Sequence, residues 1–177
     1  VDCRKIISFV RERKIIIDCA TKYLKENNLN FDIIAGGETA GIPYAAFLSE
    51  ELKKPMIYIR KKPKGFGKDQ QIEGHYLPRQ KVILIEDLAT DGGSKIIFVK
   101  ALRKSELEVS DIFVIFYYDI FNYAQSALGS LNVNMHYLCT WKNIIRVIKN
   151  KKLFSEKDID NLKIFLSNPE VWRKENA

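Results

Sequence analysis

The stretch VILIEDLATDGGS, residues 82–94, constrains the chain most. Four apolar β-formers end in two adjacent acids, Glu86 and Asp87, and a Gly-bearing turn leads into the helical pattern KIIFVKALRKSE. A buried strand that runs into a Gly turn at a helix N-terminus is an α/β signature. Such a turn gathers backbone N–H groups at the positive end of a helix dipole, where an anion is favoured. Thr90 and Ser94 add hydroxyl donors. The two carboxylates repel phosphate but accept hydrogen bonds from a diol. Acids and turn together suit a ribose 5-phosphate: sugar hydroxyls on Glu86 and Asp87, phosphate in the turn Ala89, Thr90, Asp91, Gly92, Gly93 and Ser94. No G-x-G-x-x-G is present, and no Gly-Lys-Ser/Thr closes the turn, so the segment is neither a dinucleotide fingerprint nor a P-loop.

The rest of the chain is consistent with one α/β domain. With 177 residues it can bury a substantial core as a single unit, residues 1–177. Helical periodicity marks 9–27, and a short strand at 31–35 leads into a second Gly-bearing turn, Gly36 to Gly41. A helix over 43–52, with Pro in its first turn, and a strand over 56–60 follow. Further strands are expected at 82–87, 112–118 and 135–140, with helices after residue 94, near 124–128, over 141–149 and over 156–166, the last capped by Ser155. Alternating strands and helices imply a mostly parallel sheet covered on both faces, with ligands beyond the C-terminal strand ends. Both Gly-bearing turns lie at such ends. Glu38 is an odd residue for the first of them if that turn binds an anion.

Composition excludes some classes. No run approaches the roughly 20 apolar residues that cross a bilayer, so no membrane role is expected. The net charge of +7 would suit nucleic acid, but its excess is spread between the 60–68 segment and the C-terminal helices, with no single basic stripe. Nucleic acid is therefore not expected as a partner. Cys3, Cys19 and Cys139 are far apart and form no metal spacing, which points to a reducing cytoplasm. His75 and His136 stand alone in the sequence, so no protein metal site is expected; His75 reads as a surface residue. The chain opens Val-Asp-Cys-Arg-Lys, and an N-terminal segment is expected to be missing.

A second segment, YIRKKPKGFGKDQQIEG over 58–74, carries Arg60, Lys61, Lys62, Lys64 and Lys68 with Gly65 and Gly67 and no apolar periodicity. Glycines and crowded charge predict a mobile loop over 61–74. Beside a ribose-phosphate site it can bring cations to a pyrophosphate.

The order hydrophobic run, Glu-Asp, two residues, Thr-x-Gly-Gly-Ser resembles the phosphoribosyl pyrophosphate (PRPP) signature of the type I phosphoribosyltransferases. R-K-x-x-K followed by Gly and then E-G resembles the catalytic loop of the orotate phosphoribosyltransferases. RKKPKGFG with EDLATDGGSK is similar to a bacterial subgroup of that family. The resemblance implies the type I phosphoribosyltransferase fold with a mobile catalytic loop. It implies transfer of ribose 5-phosphate from PRPP to orotate, with release of pyrophosphate, in pyrimidine synthesis. It assigns catalysis to Lys64 and Asp87. PRPP contacts fall to Thr39, Ala40, Arg60, Lys61, Lys64, Glu86, Asp87, Leu88, Ala89, Thr90, Asp91, Gly92, Gly93 and Ser94, and Thr90 also touches orotate. It further implies Mg²⁺, bound mostly through substrate and water, and a homodimer in which cations resembling Lys61 and Lys64 serve the neighbouring site. Phe66 stands where many members have His, Thr39 and Ala40 where many have Lys or Tyr, and Asp119-Ile120-Phe121 where many have Asp-Arg. A transferase for another base and a non-catalytic PRPP-sensing regulator of the same fold are the alternatives.

Overall fold

The computed structural model describes residues 1–63, 71–90, 93–120 and 129–169. Its strands are β1 Ile33–Gly37, β2 Met56–Ile59, β3 Ile72–Glu73, β4 Lys81–Ala89, β5 Glu108–Tyr117 and β6 Asn134–Thr140. The helices are α1 Cys3–Ile6, α2 Val10–Glu26, α3 Gly41–Leu52, α4 Gly93–Lys104, α5 Trp141–Lys151 and α6 Glu156–Ser167. Among the described residues the strands form one sheet in the order β3-β2-β1-β4-β5-β6. Every pairing is parallel except the β2–β3 hairpin.

Central strands of a parallel sheet are covered on both faces and so read as continuous apolar runs. Residues 82–87 of β4 are all buried. Their side chains alternate between two core layers, as the two-residue strand period requires. Ile33, Leu84, Ile112 and Val114 pack with Phe98, Val99 and Leu102 of α4. Ile34, Ile83, Ile85 and Phe113 pack with Leu24 of α2 and with Tyr44 and Leu48 of α3. Helices therefore cover both faces, as the alternating pattern implies. The chain turns outward in opposite directions from β1 and β4, so the crevice between their C-terminal ends is the topological switch point.

Several boundaries differ from the sequence reading. The first strand covers 33–37 and not 31–35: it includes both glycines that read as a turn, and Asp32 N–H begins the ladder on the Lys81 carbonyl at 2.8 Å. The helix after it starts at Gly41. β4 runs to Ala89, so Glu86, Asp87, Leu88 and Ala89 are strand residues and the phosphate turn is shorter than expected. Helix α1 was not foreseen, and the helix expected near 124–128 lies outside the described residues. Ser155 caps α6 as expected, its hydroxyl accepting from Asp158 N–H at 3.2 Å.

The loop over 61–74 also needs correction at its far end. Ile72 is buried and pairs with Ile59, and Arg60 N–H donates to the Gln71 carbonyl at 2.8 Å. This apolar anchor limits any free segment to residues before 71. The amides of the β2–β3 hairpin should exchange slowly already without ligand. Hydrogen exchange by mass spectrometry checks this; an Ile72 amide that exchanges at the free-chain rate would restore the longer loop.

Candidate active site

The C-terminal ends of β1 and β4 bound a cavity of about 190 Å³. Glu38, Thr39, Ala40, Lys61, Glu86, Asp87, Leu88, Thr90 and Ser94 line it, together with Arg4 and Lys95. Most of the residues singled out in the sequence thus converge on one crevice. Ala89 does not line it, because its side chain is buried in the α4-side core. Gly93 begins α4, and Lys64, Asp91 and Gly92 lie outside the described residues. A larger concavity of about 690 Å³, between α5 and α6, holds no paired buried acids and no Gly-bearing helix start.

Consecutive strand residues point to opposite faces, so Glu86 and Asp87 stand in different surroundings. Glu86 lies over β1 on the α4 side. A Cβ on Gly37 would fall 1.7 Å from Glu86 Oε1 and 2.7 Å from the Phe98 ring. Position 37 must therefore lack a side chain for Glu86 to fit. Burial pushes the Glu86 carboxyl up to about 7, with Lys95 opposing and Asp87 adding to the rise. Asp87 faces α1, where the Arg4 guanidinium Nε stands 3.9 Å from Oδ2. Tyr44 O–H donates to the Cys3 carbonyl at 2.6 Å, which ties α1 to α3 and places Arg4 beside the site. The Cys3 thiol is pushed up to about 12 by burial, aided by Asp87, so it stays protonated.

Two carboxylate oxygens here, Glu86 Oε1 and Asp87 Oδ2, are buried and accept no hydrogen bond from the described residues. Buried polar atoms are almost always partnered, so such a pair marks a place where a donor-bearing ligand belongs.

The turn after β1 has a cis Glu38–Thr39 peptide. Glu38 Oε2 accepts from Lys61 N–H at 2.7 Å and so fastens the start of the cationic segment to the turn after β1. Lys61 lines this chain's own cavity. Arg60 is turned away to Glu73, with Nε donating to Oε1 at 3.1 Å and the guanidinium near the Tyr58 ring.

The sequence reading did not include Lys95 or Arg4, which the structure brings to the site. Lys95, in the first turn of α4, is only 5% exposed. Its ammonium donates to the Leu88 carbonyl at 2.6 Å and stands 3.6 Å from Glu86 Oε2. The signal for it was its place just after the Gly turn, facing back along β4. His75 is exposed, as expected. His136, which looked solitary, stands in a chain with Asp111 Oδ1 at 2.8 Å and the Tyr23 hydroxyl at 3.2 Å. No helix among the described residues is long and apolar enough to cross a membrane.

Comparison with known proteins agrees with this geometry. No family model matches the chain. An orotate phosphoribosyltransferase of Agrobacterium fabrum is 47% identical over 174 residues, which are 97% of this chain and 75% of that protein. One from Ruegeria is 45% identical over 178 residues, covering 99% and 79%. Among solved structures, Leishmania donovani UMP synthase superposes with a TM-score of 0.81 at 25% identity, over 94% of this chain and 35% of that one. Orotate phosphoribosyltransferase from Aeropyrum pernix gives 0.74 at 23% identity, over 88% and 84%, and shows the same fold. With whole-chain identities of this size to proteins of which it covers three quarters, the chain belongs to the orotate phosphoribosyltransferase family.

Proposed function

We propose that the chain transfers ribose 5-phosphate from PRPP to N1 of orotate, giving orotidine 5′-monophosphate and pyrophosphate in pyrimidine synthesis. The carrying observation is the pair of buried carboxylates whose Oε1 and Oδ2 accept no hydrogen bond from the described residues, at the mouth of a Gly-bearing helix start. A vicinal diol supplies the two O–H donors that these oxygens lack. The start of α4 then offers backbone N–H groups and the Ser94 hydroxyl to the 5-phosphate.

The bond from ribose C1 to pyrophosphate breaks through an oxocarbenium-like transition state, as in glycoside cleavage. No protein nucleophile is required. Glu86 and Asp87 orient the ribose and stabilise positive charge as it grows on the ring. Lys61 and the N–H groups of the Thr39–Ala40 turn face the leaving pyrophosphate. Thr90, beyond the acids in the same cavity, is the proposed orotate contact. Lys64 is assigned from the sequence alone as the further cation on pyrophosphate. The described residues contain no cluster of three metal-ligating side chains. Mg²⁺ would be held mostly through substrate oxygens and water. When bound, the ion neutralises the pyrophosphate. A cytoplasmic homodimer, in which loop cations such as Lys61 and Lys64 serve the neighbouring site, is part of the same proposal.

Asp87→Ala removes one diol acceptor. A hydrogen bond to a charged group contributes about 1.5–3 kcal/mol, so PRPP should bind roughly 10- to 100-fold more weakly. Calorimetry on the folded variant checks this; unchanged affinity would place the ribose elsewhere. Loss of orotate absorbance with PRPP and Mg²⁺ tests the activity itself.

A further inference from the structure

We propose that Lys95 is a positioning residue that favours the ionised form of Glu86, so that a charged carboxylate is available to the ribose at neutral pH. The proposal rests on the reading of Glu86 as a ribose ligand. Lysine is almost never fully buried unless paired. A cation in the first turn of a helix also opposes the helix dipole. Lys95 bears both costs, so its contacts are the place to look for its role.

Its ammonium has three N–H donors, and it meets two hydrogen-bond acceptors and one ion-pair partner. The Leu88 carbonyl lies at 2.6 Å, the Ser94 hydroxyl at 3.3 Å and Glu86 Oε2 at 3.6 Å. Two of these belong to the end of β4 and one to the first turn of α4. The lysine thus straps the helix start to the strand end. It also divides the Glu86 carboxylate: Oε2 faces the ammonium, while Oε1 is left without a hydrogen bond.

The surroundings would otherwise neutralise this acid. Burial raises its affinity for a proton, and Asp87, the next residue of β4, adds to the rise. Lys95 on α4 is the larger of the opposing influences, and Lys61 after β2 is the smaller. Glu38 after β1 and Arg4 on α1 line the same cavity. With Lys95 the carboxyl titrates at about 7. Without it the proton is held more tightly and the carboxylate population at pH 7 falls.

The pH dependence of kcat/KM for PRPP tests this in the wild type, Lys95→Met and Lys95→Arg. The wild-type acid limb should fall near pH 7. In Lys95→Met it should move up by about one unit or more, so that kcat/KM is about tenfold or more lower at pH 7 and recovers toward pH 9. Lys95→Arg should keep the limb near its wild-type place. The phosphate of PRPP titrates near pH 6 in every variant alike, so the difference reports the protein. A Lys95→Met enzyme with an unmoved limb overturns the proposal; equal loss at all pH values would mark Lys95 as a direct phosphate contact or a structural strut. Glu86→Gln tests the underlying reading separately. Its acid limb should vanish, and a wild-type limb there would mean that Glu86 does not hold the ribose. If Lys95→Met does not fold, ¹³C NMR of the wild-type Glu86 carboxyl decides. Titration of Glu86 with a matching shift at the Lys95 ammonium supports the pair, and a Glu86 titration that leaves the Lys95 ammonium unmoved overturns it.

Discussion

Gly41→Ala should lower stability by about 1–3 kcal/mol, the range for forcing a methyl group into a packed site. A Cβ there would stand 2.4 Å from the Ile85 carbonyl oxygen and 3.3 Å from both Glu86 Cα and Oε1. The close atom is backbone of a central strand, fixed between β1 and β5, so it cannot give way as a side-chain tip can. Helix α3 must lift instead, and it carries the buried Tyr44, Ala45 and Leu48. Alanine's better helix propensity returns at most about 1 kcal/mol, so the clash wins. A fall in Tm of several degrees is expected. PRPP affinity should fall with it, because the disturbed strand end carries Glu86. Thermal unfolding and calorimetry measure the two effects; a wild-type Tm with wild-type affinity would refute the close approach.

Lys64→Ala should lower kcat by roughly 10²-fold, the scale for losing one electrostatic donor in the transition state. Lys64 lies outside the described residues, so this expectation rests on its place in the R-K-x-x-K segment. A cation that meets charge growing on the departing pyrophosphate acts more strongly in the transition state than in the ground state. PRPP affinity should therefore change less than kcat, because the start of α4 and both acids remain. Steady-state kinetics separates the cases. A wild-type kcat with only a raised KM for PRPP would make Lys64 a ground-state binding residue.

Local chemistry made much of this site legible. The run from Val82 to Ser94 carries strand, acids, turn and helix start in unbroken order, and the fold keeps that order at the end of β4. What stayed hidden depends on contacts distant in sequence. Gly37 reads as a turn residue because glycine usually does, yet it is a strand residue whose missing side chain is replaced by Glu86. Two residues are too few for periodicity to announce β3, and only pairing with Ile59 and Tyr58 creates it. Lys95 reads as a solvated helix residue until the Leu88 carbonyl and Glu86 are seen beside it. Arg4 reaches Asp87 from α1, which the Tyr44 hydrogen bond and the buried Cys3 hold in place.

Because Glu86 and Asp87 leave β4 on opposite faces, a sugar bound as proposed would be gripped from two separately packed halves of the molecule. Phe98 stands behind the first acid, and Cys3 and Tyr44 stand near the second. Among the described residues the two cores share no buried side chain across the sheet. Repacking behind one hydroxyl contact leaves the other in place, so effects of distant substitutions in the two halves should add on affinity. Sugar binding can then be tuned by two independent dials, set from the interior and with no change in any group that touches the ligand.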